Sequence, residues 1–254
     1  MYVDLNCDMG ESFGPYTLGL DDQVMPLISS ANIACGFHAG DPQVLRRTVE
    51  LAARYGAGVG AHVSFPDLAG FGRREMQASP SEVENDTLYQ MGAISGFCRA
   101  AGVPLRHVKP HGALYNMAQR NADLAGAIIR AVRAFDPGLL LFAQPGSAME
   151  TAARAAGLAV ACEVFADRAY NADGTLASRK LPGSVIHDPE QVAERAVRMV
   201  TAGMVTAVDG TEVLLQAQTI CVHGDTPGAV DLIRQLRARL TRAGVEIRPA
   251  AAGL

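Results

Sequence analysis

Residues 2–8 alternate in character: Val3, Leu5 and Cys7 are apolar, and Asp4, Asn6 and Asp8 between them are polar. Side chains alternate across a strand, so this segment reads as a strand with one apolar and one acidic face. Six further strand-like runs follow at about 30–38, 58–63, 107–112, 139–144, 159–167 and 219–225. Most intervening stretches carry helical period and helix punctuation. Asp41-Pro42 opens a helix that stops at Gly56, and Ser79-Pro80-Ser81-Glu82 is a capping box for a long helix ending near Gly102. Ser147-Ala148-Met149-Glu150 reads as a second capping box, with a helix running to Gly157. Asn121, Asp188-Pro189 and Thr226-Pro227 open three more, ending near Phe135, Ala202 and Gly244.

Strands that alternate with helices predict βαβ units and a parallel sheet. An open doubly wound sheet would gather its functional residues at one switch point. Here nearly every strand ends in polar residues: Asp8, His38, His62, Lys109 with His111, Gln144, Glu163 with Asp167, and His223 with Asp225. Convergence from so many strand ends predicts a distorted seven-stranded (β/α) barrel with its site at the C-terminal mouth. Parity agrees, because Asn32, Gly60, His62, Lys109, His111, Glu163 and Cys221 face one way. Ile33, Ala61, Val63, Val108, Val164 and Val222 face the other. The long connections 64–78 and 168–187 read as lids or binding loops. Asp209-Gly210 predicts a small hairpin within 204–215 with a two-residue turn. No repeat or internal boundary appears, so one domain is expected over 1–254.

Composition narrows the class. A chain of 254 residues with 49% hydrophobic and 19% charged positions can bury a full core. A net charge of −4 argues against nucleic acid or a membrane surface as partner. No leader-like segment opens the chain and no apolar run reaches membrane-spanning length, so a soluble cytoplasmic protein is expected. Four of the five cysteines, Cys7, Cys35, Cys162 and Cys221, fall inside strand-like runs and read as reduced core thiols.

Asp8 leads the candidates for chemistry, since it ends the first strand and a loop follows. A strand-end aspartate that merely caps its loop is the plain alternative. With His38 and His62 it could supply a metal set that leaves positions open for water and substrate, although the spacing equally allows both histidines to act by direct hydrogen bonding. His107 and His187 are assigned no ligand role. Lys109 is one of only two lysines against twenty arginines, and a lumen lysine needs a carboxylate partner or an anionic ligand. Asp4 or Glu163 could supply that partner, with Asp4 and Asn6 positioning Lys109 from below. His111 adds a donor nearer the mouth. Glu163 offers a second carboxylate, Arg168 an anion clamp, and the run from His223 and Asp225 to Gly228 a helix N-terminus suited to phosphate or carboxylate. No GxxxxGK[ST] element is present, so a nucleotide would be held by something other than a P-loop.

Five blocks then combine. Asp4-Leu5-Asn6-Cys7-Asp8-Met9-Gly10-Glu11, the run from Ser30 to Asp41 through Gly36-Phe37-His38, and Gly60-Ala61-His62-Val63-Ser64-Phe65-Pro66-Asp67 are the first three. Val108-Lys109-Pro110-His111-Gly112-Ala113-Leu114-Tyr115 and Val222-His223-Gly224-Asp225 complete the set. Together they resemble the LamB/YcsF family, and Glu163–Arg168 and Asp173–Leu176 extend the likeness. The resemblance implies a barrel of the glycoside hydrolase/deacetylase type. It also implies ATP-dependent opening of 5-oxoproline to glutamate, with Mg2+ accompanying the nucleotide, in company with two partner subunits, B and C.

A five-membered lactam is an almost unstrained amide, so water attacks slowly and ring opening has little driving force; ATP supplies both activation and drive. Strand-end geometry leaves each role open between two or three residues. Arg168 or Lys109 holds anionic groups, Asp8 or Glu163 activates water, and His62, His111 or His223 stabilises the oxyanion or protonates the ring nitrogen. Two other readings stand beside this one: a stand-alone metal-dependent deacetylase or amidohydrolase using Asp8, His38 and His62, and a non-catalytic subunit that binds the lactam and presents it.

Overall fold

A computed structural model describes residues 1–178, 181–222, 224 and 228–253. Seven parallel strands close into a barrel: β1 (Tyr2–Met9), β2 (Ser30–Ala34), β3 (Gly58–Val63), β4 (Leu105–Pro110), β5 (Leu140–Ala143), β6 (Val160–Phe165) and β9 (Thr219–Val222). Each pairs with the next in that order, and β9 returns to β1 with Asn6 opposite Cys221. These are the seven runs predicted from alternation. A two-residue strand, β10 (Glu246–Ile247), adds to the start of β1. Its shortness left no periodic signal.

Between the strands run α1 (Asp21–Val24), α2 (Pro42–Tyr55), α3 (Pro80–Ala101), α4 (Gly112–Ala118), α5 (Ala122–Phe135), α6 (Ala148–Ala155), α7 (Pro189–Ala202) and α8 (Ala229–Arg242). The predicted caps explain most starts. Asp41 Oδ1 accepts from the backbone N–H of Gln43 and Val44 at 2.8 and 2.9 Å, and Gly56 ends α2 at φ +69°. Ser79 and Glu82 form the reciprocal capping box of α3. At α6 only half the box exists: Ser147 accepts from Glu150 N, but the Glu150 carboxylate turns to Gly146 N and Arg154 Nε at 2.7 and 2.9 Å. An arginine one turn on outcompetes the backbone donor. The Thr226-Pro227 start lies outside the described residues, and α8 is helical from Ala229, after Gly228 at φ +81°.

Several strand ends fall short of expectation, and β4 stops at Pro110, so that His111 sits at the N-cap of α4 rather than on the strand. β2 stops at Ala34 because Gly36 takes φ +93° and donates its N–H to Ala39 O, so His38 sits in a turn beyond the strand. β6 stops at Phe165, and Asp167 begins the second long loop. The hairpin forms as β7 (Met204–Thr206) and β8 (Glu212–Leu214), but its connection is longer than two residues. Ala207 pairs with Thr211 through its N–H, and Gly210 takes φ +88° in the three-residue tip between them.

The outward strand faces pack under the helices, with Leu5, Ile33, Val63, Val108, Val164 and Ile220 fully buried. At the N-terminal end of the barrel Leu140, Phe142 and Ala161 pack with Ala250 and Ala251 into a small plug. All five cysteines are buried free thiols. Among the described residues no helix is long and apolar enough to cross a membrane.

Candidate active site

Strand parity delivers the lumen. Lys109 Nζ lies 2.9 Å from Asp8 Oδ1 and 2.9 Å from Glu163 Oε1, with Asn6 Oδ1 at 3.2 Å and Cys221 Sγ at 3.1 Å. Glu163 Oε1 also accepts from Asn6 Nδ2 at 3.0 Å, and Oε2 accepts from the Tyr115 hydroxyl at 2.7 Å. Burial alone would lower the Lys109 ammonium, but the Asp8 carboxylate, then Cys221 and Glu163, hold it well above the usual lysine value. Glu163 bonds Asn6, the lumen residue one step below Asp8 on β1. Glu163 therefore sits beneath Lys109 and does not line the mouth.

Asp4 is no partner of Lys109. Its carboxylate accepts from Ser29, Ser30 and Thr219 hydroxyls at 2.6, 2.8 and 2.6 Å, and burial nevertheless raises it to about 6. A strand spacing of two registers keeps it out of reach of an ammonium that already bridges two other acids. Asn6 does support Lys109.

At the mouth, Asp8 Oδ1 accepts from Lys109 and from Asn32 Nδ2, each at 2.9 Å, while Oδ2 faces His62 Nε2 at 3.2 Å. Burial would raise this carboxyl, but His62, Lys109 and His111 hold it well below the usual carboxylate value. His62 Nε2 stands 2.9 Å from His111 Nδ1. His38 stacks on His111 with ring centroids 3.9 Å apart and planes 5° from parallel, and its Nε2 faces Glu11 Oε1 at 3.3 Å. Burial, reinforced by neighbouring imidazoles, holds His38 well below the usual histidine value and brings His111 down to about 3.

The 64–78 loop covers this cluster. Its buried Asp67 is paired with Arg74 and accepts from Gly70 N at 2.9 Å. Phe71 takes φ +54° and accepts from His111 Nε2 at 2.9 Å. Gly72, at φ +63°, leaves no room for a Cβ, which would stand 2.8 Å from His111 Cδ2 and from His38 Cβ. A narrow pocket remains, lined by Asp8, Glu11, Leu18, Phe71, Arg73 and His111 among others.

Of the residues named from sequence, Asp8, His38, His62, His111, Lys109, Asn6 and Glu163 come together in one connected set. Arg168 points elsewhere: its guanidinium donates to Ala177 O at 2.7 Å and Ser184 O at 3.4 Å, holding the second long loop. His223 and Asp225 lie outside the described residues. His187 is exposed, and His107 is buried deep in the lumen on Asn32 and Phe142. Among the described residues, four whose metal-capable atoms converge within 4.8 Å are Glu11, His38, His62 and His111, so Asp8 stands beside the set expected to contain it. Sequence reasoning missed Glu11, Arg73 and Tyr115. Glu11 and Arg73 lie in loops, where parity carries no information; the only signal was adjacency to Asp8 and to the glycine-rich loop.

Fold and site define a TIM-like α/β barrel with an ionic lumen that opens onto a carboxylate–imidazole mouth. The chain belongs to the LamB/YcsF family, whose model matches residues 3–254. It is 59% identical over 245 residues to the A-subunit of 5-oxoprolinase from Symbiobacterium thermophilum, covering 96% of this chain and 94% of that one. It is 51% identical over 249 residues to the corresponding A-subunit from Acinetobacter baumannii, covering 98% of each. The crystal structure of the lactam utilization protein from Thermus thermophilus superposes with TM-score 0.94 at 54% identity, covering 98% of this chain and 99% of that one. A family 4 carbohydrate esterase from Streptomyces lividans shares the fold, with TM-score 0.51 at 14% identity over 97% of this chain and 91% of the other.

Proposed function

We propose that this chain is the ring-opening subunit of an ATP-dependent 5-oxoprolinase, working with two further subunits, B and C, in the cytoplasm. The observation that carries the reading is Asp8: a carboxylate bonded by Lys109 and Asn32 on one oxygen, with its other oxygen turned to His62 at the mouth. The choice of 5-oxoproline as substrate is supported by the names borne by relatives above half identity.

In this reading the lactam enters the pocket with its carboxylate toward Arg73, the guanidinium among the described lining residues. Its ring carbonyl turns toward His62 and His111. Water adds to the carbonyl carbon, the ring C–N bond breaks, and the nitrogen takes up a proton to become the amine of glutamate. ATP, with Mg2+, is converted to ADP and phosphate in the same cycle, which consumes a second water. A carboxylate held as acidic as Asp8 is a weak base by itself, so its contribution is to orient the water and to balance positive charge as it develops during the reaction. Lys109 and Glu163 act from below by holding Asp8 in place.

The test is glutamate release from 5-oxoproline and ATP, measured with this chain plus B and C and with each component omitted. Release that needs all three and ATP is the expected result; silence from the complete mixture would overturn the reading. The imidazole cluster favours a second reading, a stand-alone metal-dependent amide hydrolase, for which this chain alone would open amides without ATP.

A further inference from the structure

All three imidazoles at the mouth have one nitrogen committed away from the cluster. His62 Nδ1 lies 2.9 Å from Lys109 O and His111 Nε2 lies 2.9 Å from Phe71 O. A carbonyl only accepts, so both of these nitrogens carry the proton. His38 Nδ1 lies 3.0 Å from Ser64 Oγ, whose own hydrogen goes to Phe65 O at 2.8 Å. That hydroxyl therefore accepts, and His38 Nδ1 is the donor.

Each neutral ring is then left with a bare lone pair on its inward nitrogen. His62 Nε2 and His111 Nδ1 confront each other at 2.9 Å. His38 Nε2 confronts Glu11 Oε1 at 3.3 Å, and His111 Nδ1 stands 3.8 Å from the same oxygen. Lone pairs aimed at one another at hydrogen-bonding distance repel unless a cation lies between them. One added proton relieves the His62–His111 pair and leaves His38 facing Glu11 unrelieved. A second would charge His38 against its stacked neighbour. One multivalent cation relieves every pair at once.

We propose that Glu11 Oε1, His38 Nε2, His62 Nε2 and His111 Nδ1 form a binding site for a divalent transition-metal ion, with Zn2+ as the type ion. Ligands about 2.0–2.1 Å from a tetrahedral ion stand roughly 3.3–3.4 Å apart. The separations here run from 2.9 Å upward, all within 4.8 Å. Three imidazoles and one carboxylate suit zinc and its neighbours rather than calcium or magnesium, which prefer oxygen. The outward partners Lys109 O, Phe71 O and Ser64 Oγ are the outer hydrogen bonds that orient metal-binding imidazoles. Two come from the 64–78 loop, which gives that loop a role in setting ligand geometry. Asp8 is excluded from the ligands because Lys109 and Asn32 hold one of its oxygens; its Oδ2 stands beside the site, where it can orient water.

The site stands on these residues whatever the substrate. The test is to strip the full-length chain with a chelator and titrate it with Zn2+ by calorimetry and with Co2+ by visible absorption, counting bound metal by elemental analysis. One ion per chain is expected, with a Co2+ spectrum of low coordination number. Glu11→Gln and His38→Gln should each lower affinity more than about 100-fold, and Ser64→Ala about 10- to 100-fold. Asp8→Asn should keep one ion per chain. Absence of stoichiometric metal from the wild-type chain, or equal binding by the wild type and the ligand variants, would overturn the site. A proton resonance shared between His62 and His111 in that metal-free protein would identify the proton as the cation instead. Metal bound without glutamate release would sink only the lactam reading, and glutamate release by a chain that takes up no stoichiometric metal only the metal site.

Discussion

Lys109 Nζ lies 2.9 Å from Asp8 Oδ1, so the base of the barrel lumen and the mouth are joined through a single buried ammonium. That ammonium also contacts Glu163 at 2.9 Å. Removing it leaves two acids in a lumen with no lysine or arginine in contact with them among the described residues, and only the His62 imidazole beside Asp8. Lys109→Met should destabilise the chain by about 3–5 kcal/mol, the usual cost of stranding a buried charge. Urea unfolding measures it. A change below about 1 kcal/mol would show that the lumen readjusts or takes up protons instead.

Asp8 and Arg73 should separate in kinetics. Asp8→Asn keeps the shape and the bond from Asn32 but loses the charge, and glutamate release by the assembled complex should fall by about 10²- to 10⁴-fold with the fold intact by circular dichroism. Arg73→Ala should raise KM for 5-oxoproline and leave kcat nearly unchanged, because a guanidinium that binds the substrate carboxylate contributes equally before and during reaction. A fall in kcat with KM unchanged would move Arg73 out of substrate binding.

Gly72 and Gly92 make an opposed pair. A Cβ at Gly72 collides with His111 and His38 on a backbone at φ +63°, whereas one at Gly92, inside α3, meets nothing within 4 Å. Gly72→Ala should destabilise by about 1–3 kcal/mol and cut activity, since it pushes the loop off the cluster. Gly92→Ala should stabilise by about 0.5–1 kcal/mol with activity unchanged. Thermal unfolding of both variants checks this; equal effects would contradict the close approach of the loop.

Asp4 sets a pH dependence. Its carboxyl sits near pH 6 in the folded chain against 3.8 as the ordinary value. Between those limits the folded protein holds a proton that the unfolded chain has released, so stability falls as pH rises through that window. The loss amounts to about 3 kcal/mol for a fully buried group. Asp4→Asn should remove that slope, since the Ser29, Ser30 and Thr219 hydroxyls can reorient around an amide. The difference between wild-type and variant unfolding free energies across pH 4 to 6 is the measurement, and parallel curves would rule the assignment out.

Much of this was legible in the chain. The period-two alternation of β1, β4 and β6 put Asn6, Lys109 and Glu163 on one face, because the pleat of a strand leaves a side chain no other choice. Asp41, Ser79, Asn121 and Asp188 marked helix starts through local hydrogen bonds that need no tertiary partner. Closure of the barrel followed from polar residues at so many strand ends. Tertiary structure decided what depends on loops and on depth. Glu11 and His38 meet because a turn at Gly36 and a loop after β1 bend toward each other, and no periodicity governs either. Asp4 satisfied itself on hydroxyls, and Arg168 turned to loop carbonyls while Arg73 took the mouth, because reach and register select a partner that charge alone does not. The direction of each imidazole lone pair was settled last, by the carbonyls of Lys109 and Phe71 and the hydroxyl of Ser64.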